Sequence, residues 1–243
     1  LKDRVNIPGL HPSEIEILNT APGPYMEYYI PMAKKEPLGD FVGGGGFGSV
    51  FCRGSKSNCD EVIKIPLYYH HPEVYNIERN LAKTYIKHGG RAAKTVPNSS
   101  NEIIFKKFVE GDEAIKILKR GDNLTDDQAD DVFELFLDMK KAHGEDSMVV
   151  AADVKADNLK WEPTKKKWVF VDTGVAGSRN IFENPNDFYK AFAEGFFFPS
   201  WYKQGPSQLS ESIKQWKRVC QRIIATLSAQ SRTKLAPMCL RSP

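Results

Sequence analysis

Several things the sequence lacks narrow its identity before any motif is considered. No stretch of the 243 residues reaches the roughly 18 apolar positions of a membrane span. The longest aromatic run, Phe196-Phe197-Phe198, stops at a proline. No signal-peptide pattern opens the chain; Leu1 stands where a methionine would start one, so we expect a trimmed start whose targeting segment is absent. Cysteine is scarce. Cys52, Cys59, Cys220 and Cys239 have no metal-ligand spacing and only the first two lie close in sequence, so free thiols in a reducing, cytoplasmic setting are expected. A dense basic stripe is missing too. The net charge is +3 and the cations are spread along the chain, whereas a nucleic-acid binder concentrates them. The one short run, Lys165-Lys166-Lys167, reads as a solvated hairpin turn. There is no internal repeat and no low-complexity segment. What remains is a globular chain long enough for one large domain or two lobes sharing a cleft.

Residues 1–37 are rich in proline and tyrosine and weakly periodic, and read as an N-terminal extension. Three strands are expected over 38–66: one running into the glycines at 43–48, then Ser49–Arg53, then Glu61–Ile65, ended by Pro66. Residues 72–88 read as a helix, with Pro72 at its start and Val74, Ile77, Leu81 and Tyr85 forming one apolar stripe. Glu102–Val109 reads as a strand. Thr125 and Gln128 form a capping box before a helix that stops near His143-Gly144. Met148–Ala151 and Trp168–Val171 are strand candidates. Asn184-Pro185-Asn186-Asp187 opens a further helix, with Asp187 as a candidate for a larger structural role. Ser207–Leu227 reads as amphipathic.

The segment from Phe41 to Val50 fits G-x-G-x-x-G-x-V through Gly43, Gly45, Gly48 and Val50. Glycines let a backbone close over phosphates because no Cβ blocks the approach. In a dinucleotide-binding fold such a loop opens a helix; here it leads into the β-prone Ser-Val-Phe-Cys. Lys64 lies in an apolar strand, where a cation is costly unless it meets an anion. Glu78, in the middle of the next helix, is the candidate partner, with Glu73 in the first turn as the fallback. Further on, Asp153, Lys155 and Asn158 fall in Ala-Ala-Asp-Val-Lys-Ala-Asp-Asn, and Asp172-Thr173-Gly174 follows the Trp168–Val171 strand.

Taken in order, these segments resemble the protein kinase family: a glycine loop, a strand lysine, a helix glutamate, D-x-K-x-x-N and a D-F-G element with threonine for phenylalanine. The resemblance covers residues 38–175. It implies an α+β, bilobal fold with an N-terminal lobe at 38–111, an abridged helical C-terminal lobe at 112–243, and ATP between them. It also implies roles. Gly43, Gly45, Gly48 and Val50 would cover the nucleotide, and Lys64, oriented by Glu78, would bind the α- and β-phosphates. The backbone at Phe108 and Val109 would meet adenine. Asn158 and Asp172 would hold Mg2+, Asp153 would position an acceptor hydroxyl, and Lys155 would face the γ-phosphate.

The departures are informative. Alanines replace the His-Arg that normally precedes Asp153. The next helix has already opened by Asp187, 15 residues beyond Asp172, without an A-P-E element, so a full activation loop does not fit. Such stripped chains resemble minimal serine/threonine kinases that pathogenic bacteria secrete into host cytoplasm as effectors. On that likeness the partners are a protein substrate, a host protein among them, and a host activator, with no nucleic acid. A small-molecule phosphotransferase usually carries histidine where this chain has Lys155. A pseudokinase need not keep Lys64, Asp153, Asn158 and Asp172 together. Another nucleotide-dependent transferase on the same fold stays open.

Overall fold

The computed structural model describes residues 39–45, 48–65, 72–96, 104–144, 154, 156–173 and 180–241. The chain is α+β: a four-stranded antiparallel sheet comes first, followed by a mostly helical region. It divides into two compact units, the described parts of Leu1–Asn76 with Lys94–Phe108, and Ile77–Ala93 with Val109 onward.

The sheet of the first unit runs in simple order. β1 (Phe41–Gly45) pairs with β2 (Gly48–Cys52), β2 with β3 (Glu61–Ile65), and β3 with β4 (Ile104–Lys107). Alternation puts every second side chain on one face. Phe51, Ile63 and Phe105, aligned across β2, β3 and β4, are buried on one face, with the Phe41 ring 5.6 Å from that of Phe51. A short 3-10 turn, Lys56–Asn58, sits in the β2–β3 connection. That connection is closed by a Cys52–Cys59 disulfide. The thiols expected to be free are therefore not free, and Cys220 bonds Cys239 in the second unit as well. Neither pairing matches a reducing setting, where disulfides are rare.

α1 (Pro72–Lys87), which belongs to the second unit from Ile77 on, ends at Gly89, which takes φ +96°; a Cβ there would run into the Asp138 carboxylate. Of the expected stripe, Tyr85 is buried and Leu81 packs partly buried against the core, while Ile77 is 43% exposed and Glu78 is buried beside it. After α2 (Ala114–Lys119), which the sequence reading had not anticipated, comes α3 (Asp126–His143). Both bonds of its capping box form: Thr125 Oγ1 accepts from the Gln128 N–H at 3.2 Å, and the Thr125 N–H donates to Gln128 Oε1 at 2.9 Å. β5 (Leu159–Glu162) and β6 (Lys167–Phe170) form a hairpin whose turn holds the lysine run. Short α4 (Pro185–Phe188), capped by Asn184, continues as a π-helical turn over Tyr189–Glu194. Asp187 is buried and accepts a hydrogen bond from the Asn184 amide, so it completes a local cap. Then come α5 (Pro206–Ala225) and α6 (Ala229–Leu240), the latter also unanticipated.

The core of this unit is aromatic. Phe136 of α3 meets Phe192 edge-on at 5.4 Å, and Trp216 of α5 lies 6.0 Å from both Phe188 and Phe197. Buried glutamines on α5 tie it to α2 and to the α2–α3 connection: Gln208 donates to the Leu118 carbonyl and Gln215 to that of Leu124.

Arg91 sits at the centre of the polar framework, 3% exposed. Its Nη1 donates to Asp131 at 2.6 Å and its Nε to Asp138 at 2.7 Å. Asp131 also accepts from the Trp168 backbone N–H, at 2.6 Å. Burial pulls the Arg91 guanidinium down, and the two carboxylates outweigh it and hold its pKa above the ordinary value. Around it the backbone of 91–93 joins β6 in parallel, through Phe170 N–H to Arg91 O and Ala93 N–H to Phe170 O, both 2.8 Å.

Arg91→Met leaves two carboxylates without their buried cation. We expect a loss of about 3–5 kcal/mol in unfolding free energy, read from urea denaturation. A smaller pH effect comes from His143, whose ring nitrogen hydrogen-bonds the buried Tyr85 hydroxyl at 2.9 Å. Burial, with the charge of His88, holds its pKa below the ordinary value. The folded protein thus binds fewer protons than the unfolded chain below about pH 6.5, and stability present above that pH falls as pH drops. The urea midpoint should fall between about pH 7.5 and about pH 5.5, and His143→Gln should flatten that slope.

Candidate functional site

The residues singled out by the sequence fall into two groups, one in each unit. In the first, the sheet register sets Gly43 opposite Val50, Val50 opposite Lys64, and Lys64 opposite Ile104. Directly paired residues point to the same face. Gly43, Val50 and Lys64 therefore form one row across three strands, on the face opposite Phe51, Ile63 and Phe105. Among the described residues nothing lies within 4 Å of where a Cβ on Gly43 would be. Lys64 is 4% exposed, an ammonium placed deep in a largely apolar sheet. Gly45 pairs with Gly48, so the glycine segment joins strand to strand and does not open a helix. The two residues between them, 46 and 47, lie outside the described residues.

In the second unit the β5–β6 hairpin sets the backbone segments that carry the two expected metal ligands at one end. Leu159 is paired with Phe170, and one step further the Val171 N–H donates to the Asn158 carbonyl at 2.9 Å. Asn158 and Asp172 thus sit at the same open end of the ribbon, on adjoining chains. Both are partly buried. The next residue fixes this end to α1: Thr173 Oγ1, 1% exposed with its residue, donates to the Glu78 carbonyl at 2.9 Å. Glu78 itself is 2% exposed, in contrast to an ordinary surface helix glutamate. Three candidates, Glu78, Asn158 and Asp172, are consequently linked through one hydrogen-bonded connection. Thr173 is the residue that sequence reasoning passed over. Its replacement of an expected phenylalanine is the only signal the sequence offered.

Asp153 and Lys155 lie outside the described residues. Their neighbours Val154 and Ala156 are buried, and the Ala156 carbonyl accepts from the Ile115 N–H at 3.0 Å. The division between the units falls between Phe108 and Val109. Two backbone groups of this pair are already engaged: the Phe108 N–H donates to the Asp60 carbonyl at 2.9 Å, and the Val109 carbonyl accepts from Lys160 Nζ at 3.2 Å. Gly111, just beyond, takes φ +116°, and a Cβ there would collide with the Trp161 carbonyl.

Among the described residues no group of three or more His, Cys, Asp or Glu is placed to hold a metal ion by itself. One amide and one carboxylate oxygen do suit Mg2+, a hard cation that keeps waters and takes its remaining ligands from substrate phosphates. No described helix is long and apolar enough to cross a membrane.

The Thr173 link is directly testable. Thr173→Val keeps the shape and removes the hydrogen bond to the Glu78 carbonyl. The expected cost is about 0.5–1.5 kcal/mol by chemical denaturation. Thr173→Ser, which retains the hydroxyl, should recover most of it.

Comparison with known proteins adds no relative: no protein-family model matches the chain, and no curated protein is similar to it in sequence.

Proposed function

We propose that this chain is an ATP- and Mg2+-dependent protein kinase of serine or threonine, built on a bilobal kinase-like fold with a shortened C-terminal lobe and no full activation loop. The observation that carries the reading is the sorting of the motif residues. Those with phosphate-binding chemistry form one cross-strand row in the first unit, and those with metal-binding chemistry meet at one ribbon end in the second. Scattered single-motif coincidences would not fall into two such groups.

In this reading the N-terminal lobe holds the nucleotide. Gly43 leaves room for phosphates to approach the sheet, and Val50 offers an apolar surface beside them. The Lys64 ammonium answers the α- and β-phosphate charge. The kinase resemblance would give Glu78, buried on α1, the role of orienting that lysine. The open end of β5–β6 supplies Asn158 and Asp172 to Mg2+, which when bound neutralises charge on the β- and γ-phosphates. Asp153 orients the acceptor hydroxyl and takes up its proton, and Lys155 faces the γ-phosphoryl group. These last two roles rest on the sequence pattern. Phosphoryl transfer is mostly positioning and charge neutralisation, so these few groups are a sufficient set.

The compartment in the proposal shifts with the disulfides. Bonds at Cys52–Cys59 and Cys220–Cys239 suit an oxidising environment, so we place the acceptor protein outside a reducing cytoplasm. That fits a secreted kinase, and it argues against a host cytoplasm as the place of action.

The test is incubation with labelled ATP and Mg2+ in the presence of secreted-protein fractions, followed by intact-mass analysis. Wild type should add a phosphate to protein. Asp172→Ala should abolish transfer and weaken Mg2+-dependent ATP binding, while Asp153→Ala should abolish transfer and leave ATP binding in place. A different added mass would replace the kinase reading with another transferase. Full activity in both variants would end the assignment of these residues.

A further inference from the structure

The turn end of the β5–β6 hairpin, away from Asn158 and Asp172, borders a cavity that the proposed function leaves unused. Its volume is about 470 Å3, in the size range of small-molecule sites. Trp161 and Pro163 of the hairpin, Ile117 of α2 and the α2–α3 connection line it. The walls are tied down without any ligand. The Trp161 N–H donates to the Asp112 carbonyl at 2.9 Å. From behind, Gln208 of α5 donates to the Leu118 and Asp122 carbonyls and Gln215 to that of Leu124. A cavity that is already shaped lowers the cost of ordering a site around a ligand.

Several polar groups of the lining are not used up by the fold. Gln128 is 8% exposed, and its Oε1 and backbone carbonyl are both engaged, by the Thr125 N–H at 2.9 Å and by Trp168 Nε1 at 2.7 Å. Its Nε2 makes no hydrogen bond to a described residue, and neither does Trp161 Nε1. Asn123, in the same lining, has its Oδ1 buried without a partner. At the rim Arg120 bonds Asp112 at 2.8 Å and Asp122 at 3.3 Å. Two carboxylates share one guanidinium there, so the rim is net negative and disfavours anions, while spare lone pairs remain to accept hydrogen bonds. An indole beside amide donors and carboxylate acceptors suits a neutral ligand that has one apolar face and an edge of hydroxyls. A pyranose ring has that form: its C–H face can lie on an indole, and its hydroxyls both donate and accept.

We propose that this cavity binds a neutral hexose or N-acetylhexosamine unit, stacked on Trp161 and hydrogen-bonded by Gln128 Nε2 and the rim carboxylates. The two disulfides point to compatible surroundings, since secreted and surface proteins of oxidising compartments are the ones that carry glycans. Neither Lys64 nor Asp172 takes part, so sugar binding here is independent of the reaction assigned to the chain.

The experiment is saturation-transfer NMR on the full chain with glucose, mannose, galactose, N-acetylglucosamine and N-acetylgalactosamine, each titrated to give a dissociation constant. Wild type, Trp161→Leu, Gln128→Glu and Trp201→Leu are compared, with thermal unfolding as a check on folding. At least one sugar should bind wild type at about 1–10 mM, the strength expected for a ligand of this size. Gln128→Glu keeps the acceptor of the capping box and loses the Nε2 donor, so it should weaken binding about fivefold. Trp161→Leu removes the stacking face and should weaken it about tenfold or more. Trp201, 52% exposed and outside the cavity lining, is the control, and Trp201→Leu should match wild type. Should Trp161→Leu fail to fold, Gln128→Glu decides. Binding that both cavity variants leave unchanged, or no binding of any of these sugars, overturns the proposal. So does a Lys-Ala repeat peptide that binds wild type and not Trp161→Leu while no sugar binds; the cavity would then belong to a cationic peptide.

Discussion

The buried guanidinium of Arg91 is the constraint on which the second unit depends. It lies just after α1, and the carboxylates it holds belong to α3. One of those carboxylates also takes the backbone N–H of Trp168, at the start of β6. A helix end, a long helix and a strand are thus joined at one point. An isolated ion pair would be weak evidence of stability, because desolvation offsets attraction. Here the ions are hydrogen-bonded on several sides, and removing one leaves the others exposed to the same penalty. The surface pairs of α3 and α5, such as Arg222 with Asp130, contribute far less.

That junction also positions the candidate site. β6 is pinned to residues 91–93 on one edge and to β5 on the other, so its continuation into Val171, Asp172 and Thr173 starts from a fixed strand. Thr173 then returns to α1, the helix whose end carries Arg91. The loop from strand end to helix is closed by a covalent chain on one side and hydrogen bonds on the other. If Asp172 holds Mg2+ as proposed, such a mount would fix its carboxylate.

How much of this was legible in the sequence varied with the range of the interaction. The Thr125–Gln128 capping box was readable because both bonds span three residues. The glycine segment was readable as strand–loop–strand because Ser49–Cys52 is β-prone by itself. The stripe on α1 held at Leu81 and Tyr85 and failed at Ile77, because periodicity weighs apolar size and the fold buries Glu78 there instead. β5, Leu-Lys-Trp-Glu, is a strand only through its partner β6. Cys220 and Cys239 meet because α5 and α6 pack together, which no spacing rule foresees. The D-x-K-x-x-N and D-T-G motifs were visible as strings. That Asn158 and Asp172 share one ribbon end is a property of register, and so is the alignment of Gly43, Val50 and Lys64.

The π-helical turn over Tyr189–Glu194 bears on how this protein can change length. In an α-helix each residue advances the chain by about 100°, so losing one rotates everything downstream off its face. A π turn already contains one residue more than an α turn would. Beyond it, Phe196, Phe197 and Phe198 are all buried among the aromatics of the core. Trimming that extra residue would leave an ordinary α turn and keep Phe196, Phe197 and Phe198 on their faces, whereas losing one from the flanking helix would turn the Phe196 and Phe197 rings away from Trp168 and Trp216. The π turn is therefore the place in this helix where a one-residue loss is best absorbed.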